Sequence, residues 1–297
     1  MTRRILIIKL GALGDMVQAT PAFAALRSYH KKNSLILLTT QPYGEFAKRL
    51  GYFDEVVVDS RPRAYQWRQW LHLIRLFRQG NFHTVYDFQG VDRTRLYRRF
   101  FPRDVVWVPT PLKNSLHPQE RFLHQLNPLG IDSLPSLDLT ILAEEGPVLP
   151  PRPYALLIPG ASQAHGGRKR WPEEGYAEVA AYFVQKGITP VIIGGPQEAF
   201  SVLSQKVPQA INLVGKTSLY QIIGLARLAV LAVGNDTGPM LLAAAGGCPT
   251  LTFYSAVNPA AIGGPRGDRH VALERPFLKD LSVQDVLKSI SDLNLFQ

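Results

Sequence analysis

The stretch RRILIIKLGALGDMVQATPAFAALR, residues 3–27, decides the fold. Its apolar run at residues 5–9 predicts a strand covered on both faces, because apolar and polar side chains do not alternate there. Gly11 and Gly14 then allow a tight turn, and residues 21–30 continue as a helix. A buried strand, a glycine turn and a helix are the opening of an alternating α/β fold with a parallel sheet.

The same alternation continues through the first half of the chain. Further strands are predicted at residues 35–39, 55–58, 84–87 and 105–108, and further helices at 43–50 and 65–79. Residues 143–153, AEEGPVLPPRP, then interrupt the pattern with prolines and a glycine. This composition predicts an extended linker.

After the linker the alternation restarts, with strands predicted at residues 154–158, 190–193, 211–213, 228–233 and 250–253, and helices at 175–186, 198–206, 220–226, 240–245 and 283–293. Two successive runs predict an α/β fold of two doubly wound, Rossmann-like domains, residues 1–148 and 149–297, that face a cleft. Open sheets of this kind bind ligands beyond the carboxyl ends of their strands.

The composition argues against several classes of protein. The single cysteine, Cys248, excludes an internal disulfide framework. The seven histidines show no metal-ligand spacing, so no metal site is predicted. No run of about 18 uncharged apolar residues occurs, and the first apolar run is too short for a signal peptide. We therefore expect a cytoplasmic protein.

The positive charge is concentrated in one segment. The chain has a formal net charge of +10, from 33 basic and 23 acidic residues, and ten arginines lie between Arg61 and Arg103. Such a surface attracts anions such as a phosphorylated glycolipid or an acidic membrane. A solvated basic face remains the alternative. Nucleic acid is not expected, because no known binding module accompanies the charge.

Asp15 follows the first strand at the predicted start of a helix. One interpretation is an N-cap that accepts backbone N–H groups. The other is a general base that takes a proton from an attacking hydroxyl, a role worth about 10²–10⁴ in rate. The sequence alone leaves both open.

Residues 235–249, NDTGPMLLAAAGGCP, open a helix directly after a strand. The free N–H groups of the first helical turn form an anion site, to which Thr237 and Gly238 can contribute. Asp236 is either part of that site or an ordinary N-cap.

Two further segments also follow predicted strands. Residues 158–180 carry Arg168, Lys169 and Arg170 in a glycine-rich loop, and three cations at a strand end can neutralise a diphosphate. In residues 192–199, IIGGPQEA, Glu198 either accepts ribose hydroxyls or favours a helix start. Together the segments suit group transfer from a nucleotide-linked donor.

The segments KLGALGDMVQATPA, YDFQG, KRWP, GGPQE and NDTGPM, in this order, resemble glycosyltransferase family 9, which includes the lipopolysaccharide heptosyltransferases. The resemblance implies a GT-B fold and an inverting, metal-independent reaction. It also implies that no cofactor is needed beyond a nucleotide-sugar co-substrate, commonly ADP-L-glycero-D-manno-heptose.

The resemblance also implies roles for individual residues. Asp15, beside Gly14, matches the proposed base, and Lys169, next to Arg170, matches the lysine at the donor phosphates. Glu198 matches the acid near the donor nucleoside. Asp236, Thr237 and Gly238 match the donor-site loop of the family. Asp87, Gln89 and Gly90 match a segment on the acceptor side. The acceptor-side segment could equally be structural. One position departs from the family: Leu241 stands where a histidine usually follows the Asp-Thr-Gly.

These observations predict a glycosyltransferase that moves a sugar, commonly heptose from ADP-heptose, onto a lipopolysaccharide core or related glycan. Residues 1–148 would bind the anionic glycolipid acceptor and residues 149–297 the nucleotide-sugar donor. The arginine segment would contact the inner face of the bacterial inner membrane. Two alternatives stay open: a GT-B enzyme with another donor, and a non-catalytic relative that only binds.

Overall fold

The computed structural model of the protein describes residues 2–111, 116–161 and 169–294. The chain divides into two compact units, Met1–Leu137 and Asp138–Gln297. Each unit contains its own parallel sheet flanked by helices. The predicted α/β class with two Rossmann-like domains is confirmed.

The boundary between the units lies ahead of the division expected at residues 148 and 149. Backbone hydrogen bonds explain the difference. Leu139 N–H donates to Ala245 O at 2.8 Å, and Glu144 N–H donates to Tyr220 O at 3.1 Å. The segment ahead of the prolines is therefore already tied to the second unit.

The first unit is built on a five-stranded sheet in the order β3-β2-β1-β4-β5. Its strands are β1 (Arg4–Ile8), β2 (Ser34–Thr39), β3 (Glu55–Val58), β4 (Phe82–Asp87) and β5 (Val106–Pro109). Its helices are α1 (Leu13–Tyr29), α2 (Gln41–Arg49), α3 (Trp67–Gln79), α4 (Asp92–Arg98) and α5 (Pro118–Leu126).

The second unit is built on a six-stranded sheet in the order β11-β10-β9-β6-β7-β8. Its strands are β6 (Tyr154–Ile158), β7 (Thr189–Ile192), β8 (Ile211–Asn212), β9 (Leu231–Asn235), β10 (Thr250–Ser255) and β11 (His270–Arg275). Its helices are α6 (Glu173–Gln185), α7 (Ser201–Lys206), α8 (Leu219–Leu228), α9 (Gly238–Ala245), α10 (Ala260–Gly263) and α11 (Val283–Asp292).

The opening strand lies at the centre of the first sheet. Ile5 pairs with Leu35 on β2 and with Thr84 on β4, both in parallel register. The residues from Ile5 to Ile8 are each 1 % exposed or less, which confirms that helices cover both faces of β1. The carboxyl ends of β1 and β4 therefore lie side by side.

The elements that the sequence did not predict lack a clear periodic pattern. Helix α4 reads DRTRLYR, with charged side chains on most sides, and α5 begins with a proline. Strand β11 reads HVALER, in which charged and apolar residues are mixed and no continuous apolar run occurs. The helix predicted through residues 21–30 begins at Leu13 and contains Pro21.

Within the described ranges, no helix is long and apolar enough to cross a membrane. The same residues contain no cluster of three or more histidine, cysteine, aspartate or glutamate side chains placed to hold a metal ion.

Candidate functional site

Asp15 lies in the first turn of α1, at the carboxyl end of β1. Its Oδ2 accepts a hydrogen bond from Ala12 N–H at 3.1 Å. The N-cap of the helix is Ala12 and not Asp15, so Asp15 reaches back to the N-cap from within the turn. Its side chain is 46 % exposed. The carboxylate therefore supports the helix start and still faces solvent, where a substrate hydroxyl can reach it.

Lys9 is a member of this site that the sequence analysis missed. Its ammonium lies 3.6 Å from Asp15 Oδ2, and its side chain is only 6 % exposed. Burial lowers the pKa of Lys9, while the Asp15 carboxylate acts in the opposite direction. A signal was present in the sequence: a lysine ends an otherwise apolar strand.

The turn between β1 and α1 is closely packed. Gly11 has φ +116°, and a Cβ there would lie 2.2 Å from the Tyr43 ring, so only glycine fits. Burial, followed by the Asp15 charge, raises the pKa of Tyr43. Tyr43 lines a cavity of about 420 Å³ together with Arg61 and Gln89. Gly11 and Ala12 also contribute to the lining, so the cavity lies beside the turn that precedes Asp15.

Asp87 and Gln89 hold the neighbouring loop in place. Asp87 is buried, and its carboxylate accepts from Gln89 N–H at 3.0 Å, Gly90 N–H at 2.9 Å and the Thr94 hydroxyl at 2.7 Å. Gln89 Oε1 accepts from Leu10 N–H at 2.9 Å. The contacts of Asp87 support the structural interpretation of this segment. Gly14 lies half-buried in the first turn of α1.

A second cavity of the first unit lies at the carboxyl ends of β4 and β5. It has a volume of about 540 Å³, and Arg95, Arg98, Arg99 and Trp107 contribute to its lining. Arg95 is paired with Asp92 at 2.8 Å. Arginines at the end of parallel strands can receive a phosphate or a carboxylate.

Lys169 and Asp236 come together in the second unit. Lys169 Nζ donates to Asp236 Oδ2 at 2.9 Å, and the two side chains are 19 % and 11 % exposed. Asn258 Nδ2 donates to the same oxygen. Asp236 follows β9, Thr237 is the N-cap of α9, and Gly238 is the first helical residue. The predicted donor-site loop and the lysine therefore form one cluster at the amino end of a helix.

A buried asparagine holds this cluster together, and no sequence pattern indicated its role. Asn235 is fully buried, donates to Pro159 O at 2.7 Å and accepts from Trp171 N–H at 3.0 Å. Trp171 Nε1 donates to Leu281 O at 2.9 Å. Asn235 thus connects the end of β6, the Lys169 segment and the start of α9.

Glu198 and Arg170 lie at the neighbouring strand end. Glu198 Oε2 accepts from Gly195 N–H at 2.8 Å, and Glu198 Oε1 lies 3.8 Å from the Arg170 guanidinium. A Cβ on Gly160 would lie 2.4 Å from the Glu198 carboxylate. The helix predicted from residue 198 begins at Ser201, so Glu198 lies in the loop. Arg168 lies outside the described residues.

The model of glycosyltransferase family 9 (heptosyltransferase) matches residues 132–290, more than half of the chain. The chain belongs to glycosyltransferase family 9. The suspected family is therefore confirmed, and the match lies almost entirely in the second unit.

Among family 9 relatives, lipooligosaccharide heptosyltransferase 2 of Haemophilus influenzae is 30 % identical over 115 residues, which is 36 % of this chain and 33 % of the relative. The chain thus aligns with only about a third of that protein's length. A glycosyl transferase family 9 structure from Veillonella parvula has a TM-score of 0.77 at 21 % identity and covers 99 % of this chain and 98 % of its own.

A second structure, E. coli ADP-heptose LPS heptosyltransferase II, has a TM-score of 0.76 at 19 % identity, with 98 % of each chain covered. At such identities these structures establish the fold, and they confirm the predicted GT-B class. In this family 9 chain Leu241 is buried inside α9 and only 5 % exposed, so its side chain belongs to the core of the second unit.

Proposed function

We propose that this chain is an inverting glycosyltransferase that moves a sugar from a nucleotide-diphosphate donor onto a glycan acceptor of the lipopolysaccharide core type, without a metal ion. The observation that carries the proposal is the Lys169–Asp236 pair at the amino end of α9. Family membership supports the reaction class, and the names of the relatives support heptose and ADP.

The second unit would bind the donor diphosphate. Lys169, with Arg170 beside it, and the first N–H groups of α9 supply positive charge for the leaving group. Asn258 and Lys169 both donate to Asp236, so the aspartate keeps the lysine in place before the donor arrives. Glu198 would accept the ribose hydroxyls. These fixed charges do the work for which other transferases use a divalent cation.

The first unit would bind the acceptor and supply the base. Asp15 takes the proton of an acceptor hydroxyl while that oxygen bonds to the anomeric carbon of the donor sugar. The bond between the anomeric carbon and the diphosphate oxygen breaks, and its electron pair leaves with the nucleoside diphosphate. Attack opposite the leaving group inverts the anomeric configuration.

The anionic part of the acceptor would bind the arginines of the first unit. Arg98 and Arg99 line the 540 Å³ cavity together with Arg95. Phosphates or carboxylates on core sugars fit this charge, and so do the headgroups of an acidic membrane. We accordingly propose that the chain works at the inner face of the inner membrane, as a peripheral protein.

The proposal allows more than one nucleotide-sugar donor. The buried, apolar Leu241 favours a second candidate, a transferase of the same kind with a nucleotide-sugar donor other than ADP-heptose. Thermal shift with ADP, UDP and GDP first identifies the nucleotide. A ligand at 100 times its dissociation constant should stabilise the fold by about 2.7 kcal/mol.

The deciding experiment is transfer by the purified chain from ADP-heptose and from matched UDP- and GDP-sugars to a deacylated core acceptor, with and without EDTA. We expect transfer from the ADP-sugar that EDTA leaves unchanged, and a product of inverted configuration. Transfer from another nucleotide sugar alone would support the second candidate. Binding of nucleotide without any transfer would contradict the proposal.

A further inference from the structure

Lys9 is a buried cation at the carboxyl end of the central strand of the first unit. Lysine is almost never fully buried unless it is paired, and the ammonium is desolvated at this position. In the part of the chain that the structure describes, the carboxylate oxygen within ion-pair distance of Lys9 is Asp15 Oδ2, at 3.6 Å. Asp15 is therefore its counter-ion.

The other charged groups around Lys9 do not take over that role. Arg121 on α5 repels the ammonium. Asp87 on β4 attracts it, but the Asp87 carboxylate already accepts three hydrogen bonds from its own loop. Tyr43 on α2 faces Asp15 and is neutral at ordinary pH, because burial raises its pKa.

The contacts of Asp15 are distributed unequally over its two oxygens. Oδ2 both accepts from Ala12 N–H and faces Lys9. Oδ2 is thereby held by two groups, the Ala12 N–H at the start of α1 and the Lys9 ammonium at the end of β1. Among the described residues, no hydrogen bond or ion pair involves the other oxygen, Oδ1, so this oxygen is left to accept a proton.

We infer that Lys9 is a positioning residue for Asp15: its buried ammonium holds Oδ2, so that the carboxylate presents Oδ1 to the acceptor hydroxyl. The inference rests on the proposed function of Asp15 as the base. With only 6 % of its side chain exposed, Lys9 acts through Asp15.

The test combines kinetics with a double-mutant cycle. Lys9→Met keeps the length and apolar character of the buried stem and removes the charge. We expect kcat to fall about tenfold, because the base is less well held, while KM for the donor stays within about twofold because the donor contacts lie in the second unit. Placed on Asp15→Asn, Lys9→Met should cause no further loss of residual transfer. Lys31→Met, an exposed lysine of the same unit, is the control.

Thermal unfolding of the same variants tests the pair without any substrate. Asp15→Asn leaves a buried ammonium without a counter-ion and should lower the melting temperature. Adding Lys9→Met should then raise it again. If the shift in melting temperature of the double variant equals the sum of the shifts of the two single variants, the inference is wrong, independently of any activity measurement.

The kinetic outcomes separate the two proposals. An unchanged kcat in Lys9→Met, or a further loss in the double variant, would overturn the role of Lys9 while leaving the transferase intact. If the wild-type chain transfers no sugar, the proposed function fails, and the melting temperatures still decide whether Lys9 and Asp15 are coupled.

Discussion

The two units differ in charge far more than in architecture. Residues 1–137 hold 20 Lys/Arg and 10 Asp/Glu, and residues 138–297 hold 13 of each. The whole net charge of +10 therefore belongs to the first unit. The second unit is neutral, and it is the part that the family model matches.

This contrast in charge is what we expect if the two units bind different kinds of ligand, as the proposed function requires. Under the proposed function, the second unit binds a nucleoside diphosphate, which is small and of constant chemistry, so a few fixed groups such as Lys169 and the start of α9 would suffice. An acceptor glycan is large, variable and anionic, so a broad basic surface suits it. On this view substitutions in the first unit change catalysis and acceptor binding, and those in the second change donor binding.

The largest effect should come from Asp15. Asp15→Asn is expected to lower the transfer rate by about 10²–10⁴, because the acceptor hydroxyl loses its general base. The dissociation constant for the donor nucleotide, measured by calorimetry, should stay the same. Asp92→Asn, an exposed acid on α4, is the control. If Asp15→Asn transfers sugar at the full wild-type rate, Asp15 is not the general base.

Lys169 should show the reverse pattern. Lys169→Met is expected to weaken binding of the nucleoside diphosphate by about 10- to 100-fold, since a hydrogen bond to a charged group is worth about 1.5–3 kcal/mol. Calorimetry measures this directly. Lys288→Met, an exposed lysine of the same unit, should bind like the wild type. If Lys169→Met also binds like the wild type, the ion pair with Asp236 is only structural.

The fold was predictable because its central strands, such as β1, β2 and β6, are apolar and buried on both faces. Every strand that the sequence predicts is present, and strands 55–58 and 154–158 have the predicted bounds. Elements without an apolar run were missed: α4 is dominated by charged residues, and β11 mixes charged and apolar residues in the sequence HVALER. For such elements the neighbouring structure, and not local periodicity, determines the conformation.

The candidate site was predictable in part, for a related reason. Asp236, Lys169 and Glu198 lie in loops after strands, where chemistry-bearing residues are expected, and the structure brings Lys169 and Asp236 into contact. Lys9 and Asn235 were missed although both lie where a strand passes into a loop. Their importance depends on partners distant in sequence, such as Trp171 for Asn235.

The basic surface of the first unit provides a smaller, graded test. Arg98→Gln and Arg99→Gln should each weaken binding to vesicles containing anionic lipid by about fivefold, the effect of about 1 kcal/mol per basic residue near such a surface. Raising the salt concentration should weaken wild-type binding in the same direction. Arg227→Gln, an exposed arginine of the neutral unit, is the control. Equal losses in all three variants would mean that the charge asymmetry does not determine membrane contact.

The smallest expected effect concerns pH, and it compares one histidine in each unit. Burial, followed by Arg27 and then His83, lowers the pKa of His30. Burial, followed by Arg269, lowers the pKa of His270. The unfolded chain therefore binds protons at these two histidines more readily than the folded units do. As a result, the free energy of unfolding should fall as the pH drops below about 6.5.

His30 carries the more specific contacts of the two. Asn33 Nδ2 lies 3.2 Å from its Nδ1, and Tyr86 OH lies 3.0 Å from its Nε2. An amide nitrogen can only donate, so Nδ1 accepts in the neutral ring and Nε2 carries the hydrogen. Protonation of His30 would place two donors against each other at Nδ1 and lose that hydrogen bond.

His30→Gln should therefore reduce the pH dependence of the first unit while leaving that of the second unit unchanged. Hydrogen exchange of peptides from each unit, measured at pH 5, 6.5 and 8 and corrected for intrinsic rates, separates the two responses. His72→Gln, an exposed histidine on α3, should behave like the wild type. If His30→Gln keeps the wild-type pH dependence, then His30 is not the group whose protonation destabilises the first unit, and the low-pH loss comes from other titrating groups of that unit.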